Sequence, residues 1–455
     1  MSLHLVILAA GQGKRMHSAI SKVLHNIGGK PMLERVVETA SGLNPDGIHV
    51  IFGHGGEQLR TALPNLPVNW VFQAEQLGTG HAVMQALSHI PRASQVLVLS
   101  ADVPLIQVAT LRMLIDRCKA THSLGLLVAS IADPSGLGRI VRNGQGDVNA
   151  IVEEKDATEQ QRQINEIYSG ICCATAADLN RWLPALSCDN AQGEYYLTEI
   201  IAMAVSEKLP IVSLRASDCM EIQGVNNRAQ LHQLERAWQA RIATQLMLMG
   251  VTIADAERID IRGDLRCGTD VFIDVNNVFI GNVIIGDQCT IGPNCMLTHV
   301  TLGKNSEILP NSVLDNCIIG DDCHVGPFAR LRPGTVLANG CKIGNFVETK
   351  KAVFAEGSKA SHLSYLGDVT IGKQVNIGAG TITCNYDGVN KHQTVIQDGA
   401  FIGSDTQLVA PVTVGENATI GAGSTIRKNA PAGELTLTES KQKTIYGWKR
   451  PEKRK

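Results

Sequence analysis

Residues Phe401 to Lys428 read FIGSDTQLVAPVTVGENATIGAGSTIRK. An aliphatic residue recurs at every sixth position, usually followed by glycine: Ile402-Gly403, Leu408, Val414-Gly415, Ile420-Gly421, Ile426. The same step runs through Val313, Ile319-Gly320, Val325-Gly326 and Leu331, from Ile285-Gly286 to Ile291-Gly292, and from Ile371-Gly372 to Ile377-Gly378. This is the hexapeptide pattern of a parallel β-helix. Each unit makes one short strand and one turn; the aliphatic residue points to the axis and glycine tolerates the turn dihedrals. Stacked coils bury one continuous core, so few aromatic residues are needed. Chance spacing of glycines would not hold phase over this many repeats. Two polar stretches break the pattern: Gly344 to Val369, with Asn345-Phe-Val-Glu-Thr-Lys350 and Ser361-His-Leu-Ser-Tyr-Leu-Gly367, and Thr381 to Gly399, with Cys384-Asn-Tyr-Asp-Gly388. They read as insertions, which in a solenoid lie on one side and carry function.

Before Gly250 the texture differs. Short apolar runs at Leu5–Ala10, Ile48–Phe52, Gln95–Ser100 and Leu124–Ser130 read as buried strands. Met32–Ser41, Gly80–Ser88 and Ala109–Ala120 read as helices between them. That alternation predicts an α/β, Rossmann-like domain with a mostly parallel sheet. Leu231–Met249 lacks Gly and Pro and predicts one long helix, closed by Gly250. The expected domains are residues 1–227, a linker helix over 228–250, and the β-helix with a short tail over 251–455.

Composition narrows the function. Of 455 residues, 44% are hydrophobic, 18% charged and 4% aromatic, with 44 glycines, which excludes a disordered chain and disfavours a helical bundle. Lys+Arg 41 against Asp+Glu 43 leaves a net charge of −2, so nothing draws nucleic acid or an anionic membrane. No apolar stretch reaches the roughly 18–20 residues that span a bilayer. The apolar start lacks a basic segment and runs straight into Lys14-Arg15, so it reads as a strand and not a leader. The 12 cysteines include no C-x-x-C pair; they argue against zinc or a disulfide framework and suit a reducing, cytoplasmic compartment. Lys449, Arg450, Lys453, Arg454 and Lys455 read as a frayed, solvated tail.

Leu8-Ala-Ala-Gly-Gln-Gly-Lys-Arg-Met16 follows the first strand. Small residues and glycines let the backbone approach a phosphate, and Lys14 and Arg15 add charge. The stretch is neither G-x-G-x-x-G nor a P-loop, and taken alone it fits a glycine turn before a solvated basic pair. Ser21-Lys22-Val-Leu and the glycine-rich Gln73–Ala82 follow. Asp102 comes directly after the Gln95–Ser100 strand, where open α/β sheets bind ligands. By itself it is an ordinary turn residue; beside phosphates it is placed to bind Mg²⁺.

Together these residues resemble the sugar nucleotidyltransferase family, and the full motif order resembles its bifunctional members from Leu8 to about Arg427. The most specific pieces are Gln73–Ala82, Gly138-Arg-Ile with Val152-Glu153, Asn190–Tyr196, Gly224-Val-Asn-Asn227 and Asn376–Asn385. The resemblance implies two activities: acetyl transfer from acetyl-CoA to glucosamine 1-phosphate, then uridylyl transfer from UTP to N-acetylglucosamine 1-phosphate with release of pyrophosphate. It implies that Leu8, Ala9, Gly11, Gln73, Gly78 and Thr79 hold the uracil and ribose. Arg15 and Lys22 would neutralise the triphosphate, and Asp102 and Asn226 would bind Mg²⁺. Gly138, Glu153 and Asn226 would hold the N-acetylated sugar phosphate. Where the family pattern is Glu-Ile-Asn-Thr-Gly, this chain has Glu166-Ile-Tyr168-Ser-Gly170, so Tyr168 would offer the sugar a hydroxyl or a ring face.

For the β-helix the resemblance assigns His362 as base for the sugar amine; on sequence alone, one histidine of 13 is more often structural. Arg332 and Lys350 would hold the sugar phosphate, and Tyr365 and Asn376 the sugar. Ala379, Ser404 and Ala422 would form the slot for the pantetheine arm, with Asn385 and Tyr386 at the thioester. Cys384 is adjacent, but direct transfer needs no acyl-enzyme, so it reads as a structural thiol. Glu439 stands where the family often has an arginine on the coenzyme A phosphates, with Lys441 and Lys443 as the nearest replacements. The family's β-helix is left-handed and trimeric. Two rival readings are a single-activity nucleotidyltransferase whose β-helix only assembles or regulates it, and a hexapeptide metalloenzyme of the carbonic anhydrase kind. The second would need three histidines converging on zinc, and His299, His324, His362 and His392 show no paired spacing.

Overall fold

The computed structural model describes residues 2–11, 13–53, 55–451 and 453. They form two compact units, Met1–Trp238 and Gln239–Lys455. In the first unit the main sheet has the order Ile211–Arg215, Leu124–Ser130, Glu166–Thr175, Gln95–Ser100, Leu3–Leu8, Gly47–Phe52, Asn69–Phe72. All neighbours are parallel except Glu166–Thr175, which is antiparallel to both of its partners. Alternate residues of the central strands enter different cores. Leu5, Ile7, Leu97 and Leu99 lie in one, and Val6, Val96 and Val98 in the other. Burial on both faces is why these strands read as continuous apolar runs. Each such side chain contributes roughly 1.5–3 kcal/mol.

Gln95–Ser100 and Leu124–Ser130 end where the sequence places them, and helices span Met32–Ser41, Thr79–Leu87 and Val108–Thr121. The first strand spans Leu3–Leu8 and not Leu5–Ala10, because the chain turns after Leu8 into the glycine loop. The long helix runs Arg228–Leu248. Gly250 closes it at φ 97, and Val251 N–H bonds back to Leu246 O at 3.1 Å. Leu234 packs into the first unit's core, while Ala243 and Leu246 belong to the second's. The Gln239 amide exchanges two 2.8 Å hydrogen bonds with the backbone of Ile261.

The second unit is a left-handed parallel β-helix. One inward column runs Ile273, Ile291, Ile308, Val325, Ile343, Ala360, Ile377, Ile402, Ile420, each paired with the next coil. All are buried, as the six-residue period requires. At one corner, donors of successive coils each reach a carbonyl further along. Cys289 bonds to Gly303 O at 2.8 Å, Ser306 to Gly320 O at 2.9 Å, Cys323 to Ala338 O at 3.1 Å and Cys341 to Ala355 O at 3.2 Å. All 12 cysteines are free, and many serve as such small core donors.

The Gly344–Val369 stretch is not an insertion. Thr349 pairs with Leu366 and Phe354 with Ile371, so the coils continue in step and only their outward residues turn polar. The second stretch does insert: Ala360 pairs with Ile377, but Ile377 pairs with Ile402, and the excess forms a loop around Asn385–His392. Lys449, Arg450 and Lys453 are exposed and outside regular structure; Arg454 and Lys455 lie outside the described residues.

Candidate active sites

In the first unit a cavity of ≈ 520 Å³ opens at the carboxyl ends of Leu3–Leu8 and Gln95–Ser100. Leu8, Ala9, Gly11, Lys22, Gln73, Gly78, Thr79 and Asp102 all line it. Backbone requirements explain several of them. Gly78 has φ 114, and a Cβ there would stand 2.7 Å from Tyr195 O, so only glycine fits. Thr79 starts the Thr79–Leu87 helix and its hydroxyl takes Leu197 N–H at 3.0 Å, which fixes that helix terminus at the cavity wall. Gln73 is buried, its amide 3.3 Å from Gly78 O and 3.0 Å from His81 Nδ1. Lys22 forms an ion pair with Asp102, and Ser100 Oγ donates to the other Asp102 oxygen at 2.7 Å. Val225 N–H bonds to Asp102 O at 2.9 Å and brings Asn226 alongside, where Arg15 reaches Asn226 Oδ1 at 2.9 Å. Arg15 and Asn226 thus sit beside the cavity through this network.

Asp102 and Asn226 are hard oxygen donors, each held by a cationic side chain. A positive charge is already favoured at both oxygens, which fits Mg²⁺. Among the described residues no group of three or more His, Cys, Asp and Glu could hold a metal.

Gly138 and Glu153 flank a side hairpin of strands Arg139–Arg142 and Val148–Val152, and Tyr168 lies next to it on the strand Glu166–Thr175. A Cβ at Gly138 would lie 3.5 Å from a Glu153 carboxylate oxygen. Thr198 Oγ1 donates to Glu153 at 3.1 Å, and burial raises the Glu153 pKa. Tyr168 does not present its side chain as the sequence reading expected. It is 8% exposed, packed in the core with Val128, Ile140 and Ile151. Burial pushes its hydroxyl well above the ordinary tyrosine range, with Cys172 as neighbour. Its backbone N–H, however, bonds to Gly138 O at 2.9 Å and supports that glycine from below.

In the β-helix the candidate residues occupy repeat-equivalent places. Asn345 pairs with His362, and the flanking registers Ala360 to Ile377 and Tyr365 to Ile382 put Ala379 on the next coil. Ser404 and Ala422 follow, through Asp405 N–H to Ala379 O at 2.7 Å and Gly423 N–H to Ser404 O at 2.8 Å. Asn345, His362, Ala379, Ser404 and Ala422 therefore make one column. From His362 to Ala422 it spans three coils, about 14 Å at the usual inter-strand spacing. His362 Nδ1 lies 2.9 Å from Asn345 Oδ1. An amide oxygen only accepts, so Nδ1 is the donor here and the neutral ring would have its lone pair on Nε2.

Beyond the corner, Tyr365 faces outward, and Arg332 stacks under Lys350 on consecutive coils. Arg332 pairs with Glu348 at 2.7 Å. Contact with and repulsion from Lys391, then desolvation and the charge of Arg332, lower the Lys350 pKa. Asn385 is buried and ties its amide to Asp368 at 2.6 Å, while Tyr386 is exposed. Asn376 stands apart. It lies on the 11-stranded sheet before the corner, whereas Tyr365 lies on the 15-stranded sheet after it. Cys384 is half-buried, and desolvation raises its pKa, the opposite of an activated nucleophile.

Family models match at three places: a MobA-like NTP transferase domain over residues 5–136, a GMPPB C-terminal domain over 261–353, and bacterial transferase hexapeptide repeats over 393–428. The bifunctional protein GlmU of Legionella pneumophila (strain Paris) is 68% identical over 458 residues, covering 100% of this chain and 99% of that protein. The GlmU of Marinobacter nauticus is 55% identical over 99% of both chains. That of Xylella fastidiosa (strain 9a5c) is 51% identical over 100% of this chain and 99% of its own. The chain belongs to the GlmU family. It is a bifunctional acetyltransferase and uridylyltransferase, and the rival with an idle β-helix is not favoured.

Sequence reading missed several residues. Gln76 and Ser100 line the first unit's cavity; Gln76 donates to Ala10 O at 2.6 Å, and its place in the quoted Gln73–Ala82 stretch was a usable signal. Lys391 and Asn345 sit in the two polar stretches, but only the coil register brings them to Lys350 and His362. Arg427 and Lys428 line an open recess of ≈ 490 Å³ with Thr425, Thr436 and Thr438, next to Glu439. No helix among the described residues is long and apolar enough to cross a membrane.

Proposed function

We propose that UTP occupies the first unit's cavity with its base and ribose on Leu8, Ala9, Gly11, Gln73, Gly78 and Thr79. Lys22 and Arg15 then face the triphosphate, and Gly138, Glu153 and Asn226 hold N-acetylglucosamine 1-phosphate. Two anions must approach, and these cations offset their repulsion so that a sugar phosphate oxygen attacks the α-phosphorus in line. No protein nucleophile is needed. Asp102 and Asn226 would hold Mg²⁺, which supplies further charge neutralisation on the phosphates.

In the β-helix, His362 Nε2 takes the proton of the glucosamine 1-phosphate amine as its nitrogen attacks the acetyl thioester. Arg332, Lys350 and Lys391 hold the phosphate, and the pantetheine arm lies along Ala379, Ser404 and Ala422, with Asn385 and Tyr386 at its thioester end. Arg427 and Lys428 supply near the nucleotide end the positive charge that Glu439 lacks. The observation that carries this reading is the column itself: a base with its tautomer set by Asn345 at one end, and only small side chains above it.

The acetyl site is completed by other copies of the chain in a homotrimer. Tyr365 and Asn376 flank a convex corner, so one copy cannot turn both toward one sugar. At that corner the left-handed positions hold Phe328 (φ 56), Phe346 (φ 56) and Leu363 (φ 46), where neighbouring coils have Asn311, Gly380 and Asp405. Bulky residues in that region cost on the order of 1 kcal/mol or more each. All three are exposed, and the two phenyl rings stack with centroids 5.2 Å apart. Strained, exposed apolar side chains beside His362 fit a surface covered by a second copy. The free cysteines suit the cytoplasm.

The test is one reaction with the full chain, Mg²⁺, UTP, acetyl-CoA and glucosamine 1-phosphate, following free thiol and pyrophosphate together. Both should appear, pyrophosphate after thiol. Pyrophosphate from supplied N-acetylglucosamine 1-phosphate without any thiol would overturn the β-helix assignment.

A further inference from the structure

Arg139 is among the largest fully buried side chains, 1% exposed, in a unit whose other arginines mostly reach water. Removing a guanidinium from water costs several kcal/mol unless its donors are paired. Here its two terminal nitrogens are paired by three separate segments, while Nε is buried without a hydrogen-bond partner. One arm donates to Leu137 O, just before the hairpin. The other meets Glu154 Oε2 at 2.7 Å, just after the hairpin, and lies 3.4 Å from Arg162 O in the following helical turn. Glu154 in turn takes Gly136 N–H at 3.3 Å. The Arg139 backbone stands opposite Val152 on one side and Ile167 on the other. One side chain thus fastens the entry and exit of the strand pair whose ends carry Gly138 and Glu153.

The placement of the two glutamates shows what the clamp achieves. Glu153 and Glu154 are consecutive where the strand Val148–Val152 gives way to a turn, closed by Asp156 N–H on Glu153 O at 3.0 Å, and their carboxylates go to different partners, Glu153 to Thr198 and Glu154 to Arg139. Arg139 takes up Glu154. Glu153 is left beside Gly138 and Thr198, with Asp156 and Glu194 as the charged groups acting on it. Burial already raises its pKa, and an unpaired Glu154 alongside would add to the repulsion.

We propose that Arg139 is a positioning residue for uridylyl transfer: by binding Glu154, Leu137 and Arg162 it sets the separation of Gly138 and Glu153 that the sugar phosphate requires. This rests on the reading that Gly138 and Glu153 hold that substrate. Lysine cannot replace it, because a point charge reaches one of these acceptors and a planar fork reaches all.

The experiment uses the full chain and compares Arg139→Lys, Glu154→Gln and Glu153→Gln by the KM values for N-acetylglucosamine 1-phosphate and UTP. Arg139→Lys should raise the KM for the sugar phosphate about tenfold or more, as misplacement by a fraction of an ångström does, and leave that for UTP within about twofold. Glu154→Gln should shift the same constant in the same direction by less; if Arg139→Lys does not fold, this variant carries the test alone. Equal shifts for both substrates, or none, would reduce Arg139 to a general support and overturn the proposal. If Glu153→Gln leaves the sugar phosphate KM unchanged, the site reading itself fails and the proposal with it. If Glu153→Gln raises it and Arg139→Lys does not, only the positioning role fails.

Discussion

The two units build their sites on opposite curvatures. In the α/β unit, loops far apart in sequence, at Leu8–Gly11, Lys22, Gln73–Thr79 and Asp102, converge on a concave cavity within one chain. In the β-helix, residues spaced by whole coils line up on a convex corner, and the polar groups fall on two faces. A parallel sheet supplies a crevice at its carboxyl edge, so the fold provides enclosure. A solenoid supplies registry without enclosure. The first encloses its cavity within one chain; the second leaves its column on an open corner.

The largest expected effect separates the two chemistries. His362→Ala removes the only side chain in its column able to take a proton, and acetyl transfer should fall by about 10²–10⁴. Pyrophosphate release from N-acetylglucosamine 1-phosphate should stay within twofold. Asp102→Asn should do the reverse, lowering uridylyl transfer by about 10²-fold or more while thiol release persists. If either variant, well folded, lost both activities, the separation of the sites would fail.

Next in size is the dependence on curvature. Phe346→Asp should fold, since Asp405 already occupies the same left-handed corner with φ 58. It places a charge where a second copy would pack. Light scattering should then show smaller species, with acetyl transfer down about hundredfold or more and uridylyl transfer kept. An unchanged assembly would remove this ladder from the interface.

How much of this the sequence disclosed follows the same division. The hexad pattern is dense enough to give the β-helix and its inward column, because every coil repeats one requirement. The parallel strands were legible because burial on both faces leaves nothing but apolar residues. The antiparallel Glu166–Thr175 strand was not. Its polar start, and a bulge between Tyr168 and Cys172 at Gly170 (φ 81), break both periodicities. Tyr168 illustrates the limit: sequence locates it beside the sugar residues, but only the bulge decides that its ring turns into the core and its backbone supports Gly138. Asn345 and Lys391 were illegible for another reason. Their partners His362 and Lys350 lie one coil or one loop away, and that distance exists only in the register.

A pH titration sharpens the comparison by stability instead of activity. In the first unit His4, His49 and His89 stack, with His4 Nδ1 3.2 Å from His49 Nε2 and the first two rings buried. Burial, then His4 and His89, lowers the His49 pKa to about 4. The neutral form is favoured by folding, so its contribution is complete above the unfolded value near 6.5 and is lost as pH falls from there toward 4. That amounts to about 3 kcal/mol. None of the β-helix histidines is buried: His324 and His392 pair with carboxylates, His362 meets Asn345, and His299 accepts Asn282 N–H. Acid should therefore unfold the first unit ahead of the second, followed by hydrogen exchange of each unit between pH 7 and 4. His49→Gln should narrow the gap; an unchanged gap would place the acid sensitivity elsewhere.

The smallest effect tests whether registry alone explains the β-helix's buried thiols. Cys323 bonds to Ala338 O at 3.1 Å and occupies the corner place that Ser306 holds one coil earlier, whose hydroxyl also accepts Cys323 N–H at 2.9 Å. If the position needs only a small side chain with one donor, Cys323→Ser should change stability by less than about 1 kcal/mol, since a stronger donor offsets a less apolar atom. Cys323→Ala should cost more, because Ala338 O loses its partner and the corner a sulfur's volume. Urea unfolding of the second unit would rank the two. A serine as damaging as alanine would mean that sulfur volume, not the donor, is what the coils repeat. The free cysteines would then be a packing requirement, with no equivalence to the serines around them.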